Sequence, residues 1–164
     1  DHGGDLLTAM IAEWGEDKTW ELFDKLFDNG MIVQGANGPA LDQVTSGSKG
    51  IVFGGVDYSA YSAKGKGEPL EIVIPSSGTT VTPRPVMIMK SSDNMDAAKA
   101  FVDFMFSEEA QQISASKNMI PSNKNVDPKN GPKLAEINQI SDDWAAISKE
   151  SKNVREQFAD RYLK

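Results

Sequence analysis

Early in the chain, apolar residues recur at helical spacing. Leu7, Met10, Ile11 and Trp14 fall at i, i+3, i+4 and i+7, one stripe that Gly15 ends. Trp20, Phe23, Leu26 and Phe27 make a second stripe, with Asp17 placed to cap it and Asn29-Gly30 to stop it. Asp1-His2-Gly3-Gly4-Asp5 reads as a loop leading into the first helix. The period then changes. Met31-Ile32-Val33, Gly50-Ile51-Val52-Phe53, Leu70-Glu71-Ile72-Val73-Ile74 and Val86-Met87-Ile88-Met89 are short apolar runs, too short for helices, and are expected as strands. Gly50-Ile51-Val52-Phe53, with no polar alternation, is expected to be buried on both faces. Between them, Ala40, Leu41 and Val44 predict a helix ending near Gly47, with Asn37 or Gly38 as its cap and Pro39 at its first position. Asp57 is placed to cap a helix carrying Tyr58 and Tyr61, closed by Lys64-Gly65-Lys66-Gly67.

This alternation predicts an α/β fold: a lobe with a mainly parallel central sheet flanked by helices, plus C-terminal helices. Thr79 to Met89 reads as extended, but Pro83-Arg84-Pro85 bars it from the middle of a sheet, so it is an edge or a crossover. Asp93 or Asn94 then caps a helix with Ala98, Phe101, Val102 and Met105 on one face, and Ser107-Glu108-Glu109 starts another. Asn118 to Pro132 is a polar loop. Helices are expected at 132–137, 141–149 and 151–163, the last with Val154, Phe158 and Tyr162 on one face.

Composition narrows the function more than the fold. A chain of 164 residues is one domain or two small pieces. Its net charge of −7 argues against a nucleic-acid partner, yet leaves room for a small anionic ligand in a local pocket. With no cysteine there are no disulfides, thiolate metal sites or thiol nucleophiles. No apolar run approaches the roughly 20 residues of a membrane span, and no signal peptide is recognisable, as expected of a cytosolic, processed or truncated chain. No Ser-His-Asp set is sensibly spaced, no Gly-rich nucleotide motif occurs, and one histidine would carry all general-base work. Asp or Glu pairs could still act, but nothing singles them out, so an enzyme stands as the rival of a binding protein or an assembly module; no cofactor is expected.

Candidate ligand contacts follow from strand-to-helix turns, where backbone N–H groups point outward. Asn37 and Gly38 open one helix; the bland alternative is an ordinary cap. Gly54, Gly55, Asp57 and Tyr58 follow the central apolar run; the alternative is a turn with a capping Asp and a half-buried Tyr. Tyr61, one turn on, reads as core. Arg84, fixed between two prolines, suits a carboxylate or phosphate, or a hinge ion pair. His2 with Asp5 is a weak metal pair near a chain end, and a solvated loop histidine is the simpler reading.

In this order the pieces resemble the ABC-transporter extracellular solute-binding proteins of the type 2 periplasmic binding fold, in the branch labelled iron(III)-binding. The resemblance runs from about Leu6 to Phe158. It rests on the Trp helix ending in Asn29-Gly30, the Gly35-to-Gly47 turn and helix, Gly50 through Tyr58 to Gly67, and Leu70 to Thr79. Most specific is Asp93-Asn94-Met95-Asp96-Ala97-Ala98-Lys99-Ala100-Phe101-Val102-Asp103-Phe104-Met105-Phe106-Ser107-Glu108-Glu109-Ala110-Gln111 with the later Pro121 loop. It implies a periplasmic or extracellular component of a bacterial ABC importer, lipid-anchored in the full-length protein, with a membrane permease as partner. It implies that only the C-terminal half is present: 1–82 the second lobe, 83–120 a crossover and a piece normally packing on the first lobe, and 121–164 a loop and helices returning to the second. The face of Phe101, Val102 and Met105 then needs cover from the missing first lobe or a second copy of the chain. Ferric-binding members carry two adjacent tyrosines after the central strand, where Gly55 and Val56 stand here. A sugar phosphate, phosphonate or other oxyanion held between lobes is therefore the better expectation; the alternatives are ferric iron or a dimeric assembly module without ligand.

Overall fold

The computed structural model describes residues 2–163, with the side chain of His2 outside that description. Its elements are helical: α1 (His2–Trp14), α2 (Glu16–Asp28), α3 (Asn37–Thr45), α4 (Asp57–Gly65), α5 (Met95–Met105), α6 (Glu108–Ser116), a 3-10 turn at Leu134–Glu136, and α7 (Trp144–Tyr162). The residues sort into two compact units. One runs to Gly55 and adds Ile74–Thr82 and the chain from Asn138 on; the other takes Val56–Val73 and Pro83–Ile137.

The expected parallel sheet is absent. Among the described residues the only β-pairing is an isolated parallel bridge, Thr79 to Gln139. The apolar runs read as strands are irregular and largely open to solvent: Ile51 is 83% exposed, Val73 81% and Met87 72%. A strand needs a neighbouring strand to pair with, and parallel sheets need cover on both faces. The runs have the composition of strands, but among the described residues no strand lies beside them.

In the first unit, α1 packs on α2 and α7 around Leu7, Met10, Trp20, Phe23, Ile140, Ile147 and Val154. Gly4, expected in a loop, lies inside α1. A Cβ there would sit 2.7 Å from Arg155 Cδ, so the glycine lets α1 and α7 approach closely. Gly15 ends α1 and starts α2 at φ 84°; Asp17 is already helical and does not cap. The tail is one helix, not two. Ser151, the expected break, is buried and turns its hydroxyl to Asp5 Oδ1 at 3.3 Å.

An aromatic cluster closes this unit. Phe27 and Tyr162 stack at 4.3 Å and 2°, and Phe23 meets Phe53 and Phe158 edge-on at 5.7 and 5.6 Å. Tyr162 Oη donates to Asp24 Oδ1 at 2.6 Å. Burial first, then that bond and the Asp24 charge, push the phenol up to about 12. A pKa raised in the folded state adds stability that is complete below pH ~10 and is lost as pH rises through ~12. Tyr162→Phe should therefore cost about 1 kcal/mol at neutral pH and flatten the alkaline fall in melting temperature. An unchanged alkaline fall would show that Tyr162 is not its source.

Thr19 is fully buried, and its hydroxyl has no hydrogen-bond partner among the described residues. Thr19→Val keeps the shape and removes the unmet polar group, so chemical denaturation should show a gain of about 1 kcal/mol. A loss instead would mean that the hydroxyl is satisfied in solution.

In the second unit, Asn94 and Ser107 cap α5 and α6 through side-chain oxygens accepting from Ala97 N and Ala110 N, each at 3.2 Å. Buried Gln111 ties the polar loop down: its Nε2 donates to Met105 O at 2.7 Å, and its Oε1 accepts from Ser122 N at 2.6 Å. α5 has no buried residue; Phe101 is 59% exposed.

Candidate functional site

The site residues anticipated from the sequence divide between the units. Asn37, Gly38, Gly54 and Gly55 belong to the first; Asp57, Tyr58 and Arg84 belong to the second.

α3 begins at Asn37, two residues before the Pro39 start that its pattern predicts. Ala36 is the N-cap, extended at φ −153°, and offers no side-chain bond. Asn37 and Gly38 are thus the first two helical residues, and both are exposed. Pro39 stands third rather than first. Its ring crowds the residue before it in helical conformation, and glycine, lacking Cβ, relieves that clash. Gly38 has this local reason to be glycine. Its N–H and that of Asn37 still belong to the open donors of an uncapped helix start, where negative charge is favoured.

Gly54 has a different task. It sits at φ 68°, and a Cβ there would lie 2.9 Å from Leu6 Cδ2, so the turn lies against α1. The neighbouring Phe53 ring rests on Phe23. Gly55 is exposed and crowded only by Val52, where a Cβ would meet Cγ1 at 3.1 Å. The turn is first a packing device, and Gly55 is its open member.

In the second unit, α4 begins at Asp57, with Val56 as an N-cap lacking a side-chain bond. Asp57 is inside the helix, not its cap, and its carboxylate lies in the first turn, where it complements the positive end. The Arg84 guanidinium covers the Tyr58 ring at 5.1 Å. The proline pair holds an exposed cation on a half-buried aromatic face, and such a contact contributes about 0.5–1 kcal/mol. Tyr58 and Arg84 are far apart in sequence, so no local pattern pairs them. Tyr61 lies a turn later against Gly131, where a Cβ would come within 2.5 Å of Tyr61 Oη. Burial, then the Asp57 carboxylate, push the Tyr61 phenol above its ordinary value. The Arg84 guanidinium on Tyr58 is a planar donor fork open to solvent. Among the described residues no three His, Asp or Glu side chains come together as a cation site, and the anticipated His2–Asp5 pair rests on a side chain outside the described residues.

The chain belongs to the bacterial extracellular solute-binding protein family, whose profile matches residues 4–149. It is 27% identical over 114 residues to a probable ABC transporter periplasmic-binding protein of Sinorhizobium fredii, the match taking 68% of this chain and 32% of that protein. It is 30% identical over 110 residues to an uncharacterized protein of Haemophilus influenzae, taking 66% of this chain and 31% of that one. The chain thus matches about a third of the length of these curated relatives. No solved structure matches it. The family is one of solute-binding proteins. Among the described residues no helix is long and apolar enough to cross a membrane.

Proposed function

We propose that the chain is part of the solute-binding component of a bacterial ABC importer, working in the periplasm or outside the cell and delivering its solute to a membrane permease. The observation that carries this is the family match across residues 4–149, which spans both units; the Sinorhizobium relative named as a periplasmic-binding protein supports it. The solute we propose is small and anionic: a sugar phosphate, phosphonate or similar oxyanion. The uncapped start of α3 at Asn37 and Gly38, and Arg84 seated on Tyr58, support that charge class. The chain would supply one wall of the cleft. The other wall, and any lipid anchor, would lie in sequence outside the matched third.

Thermal melts with inorganic phosphate, glucose 6-phosphate, methylphosphonate and ferric citrate test this. We expect millimolar oxyanion to raise the melting temperature. Arg84→Ala should weaken that effect roughly tenfold, the value of one hydrogen bond to a charged group, while lowering the ligand-free melt only by the loss of about 0.5–1 kcal/mol from its contact with Tyr58. A rise with ferric citrate alone would replace the oxyanion reading with iron. No rise with any probe would remove ligand binding from this chain taken by itself.

A further inference from the structure

The sequence singles out Tyr58 and Arg84 separately, and the fold brings them together. Arg84 Cζ lies 5.1 Å from the centroid of the Tyr58 ring. Tyr58 is the second residue of α4 and is half-buried, so its backbone is set by the helix. Arg84 stands between Pro83 and Pro85. Proline fixes its own φ and restricts the residue before it, so the backbone that carries the guanidinium is confined as well. Both residues lie in the second unit. The contact is made between two stretches of this chain, and it stands whatever packs on the unit from outside.

We propose that Tyr58 is a positioning residue for Arg84: its ring, and not its hydroxyl, orders the guanidinium for an anion that offers two oxygens to one planar fork. The inference rests on the oxyanion reading above and deepens it. A ring attracts the cation through the charge of the whole group, which needs none of the five N–H donors. Those donors stay available to a phosphate or phosphonate, whose oxygens match the fork in pairs. A long arginine side chain loses much rotamer freedom when it clamps a ligand. One already seated on a ring has less to lose, so Tyr58 adds affinity without touching the ligand. A lysine at position 84 would supply charge without the fork.

The test is a titration of the chain with methylphosphonate, in wild type and in variants. Tyr58→Leu should weaken binding roughly two- to fivefold, the worth of one cation–aromatic contact. Tyr58→Phe, which keeps the ring and loses the hydroxyl, should restore it. In an Arg84→Ala background, Tyr58→Leu should weaken binding no further, because the ring acts only through the guanidinium. A residue that merely supports the fold would cost the same in both backgrounds. Wild-type binding that Tyr58→Leu leaves unchanged overturns the positioning role and leaves the oxyanion reading standing. A loss in Tyr58→Phe equal to that in Tyr58→Leu also overturns it, and makes the hydroxyl a ligand contact. No binding by the wild type removes the oxyanion reading and this role together.

Discussion

Phe23→Ala should cost the first unit about 3–5 kcal/mol, the range for emptying a large aromatic from a packed core. Phe23 is 4% exposed, and its ring is the hub of the cluster: Phe53 and Phe158 meet it edge-on, and Tyr162 lies tilted beside it at 6.5 Å. The three belong to different stretches of chain, the turn before Gly54 and two successive turns of α7. Losing the ring therefore opens a void that no single side chain can fill, and also removes edge-to-face pairs worth about 0.5–1.5 kcal/mol each. Domains of this size have total stabilities of about 5–15 kcal/mol, so the change consumes much of what is available. A circular-dichroism melt should fall by about 10 °C or more. Phe23→Leu, which keeps most of the volume, should lose less than half as much. If Ala and Leu give the same small loss, the ring cluster is not what holds α2 against α7.

The contrast between helices and strands explains what could be read in advance. Helix ends are local events. Gly15, Asn29-Gly30, Gly47, Lys66-Gly67, Asn94 and Ser107 all mark boundaries, because a cap or a left-handed glycine satisfies groups within a few residues of itself. The expected central strand, which the structure does not form, has no such local signal. Gly50–Phe53 is apolar because its side chains favour burial, but a strand also needs a neighbour's backbone, and no pattern within four residues supplies one. The same limit separates the site residues. Exposure of Asn37 and Gly38 at a helix start follows from nearby glycine and proline. The seating of Arg84 on Tyr58 is a long-range contact that proline flanks hint at but cannot locate. Gly54 shows the reverse error: a glycine after an apolar run resembles a ligand turn, yet here its missing side chain makes room for Leu6. The family, in contrast, was legible, because it rests on the order of many local signals rather than on any one pairing.

Gly78→Ala should be nearly as damaging as the Phe23 change, for a reason that involves no loss of contact. Gly78 sits at φ 113°, in a region that side-chain-bearing residues rarely occupy. It is held there by the bridge that follows: Thr79 N donates to Asn138 O at 2.9 Å, and Ile140 N donates to Thr79 O at 3.0 Å. This bridge seats Ile140, 3% exposed, in the core beside α7. A methyl on residue 78 would fall on Ile140 Cγ2, well inside contact distance, and 3.3 Å from Asn138 O. Backbone strain of about 1–3 kcal/mol then adds to overpacking of about 1–3 kcal/mol. The expected loss is therefore about 2–6 kcal/mol in urea unfolding. Gly47 separates the two causes. It also has positive φ, 76°, but nothing lies within 4 Å of where its Cβ would be. Gly47→Ala should therefore show strain alone, about 1 kcal/mol. A clear excess at 78 means that the bridge and Ile140 leave no room for a side chain. Equal losses would mean that the segment from Ile74 to Thr82 yields, and that the bridge to Gln139 does little to hold α7 in place.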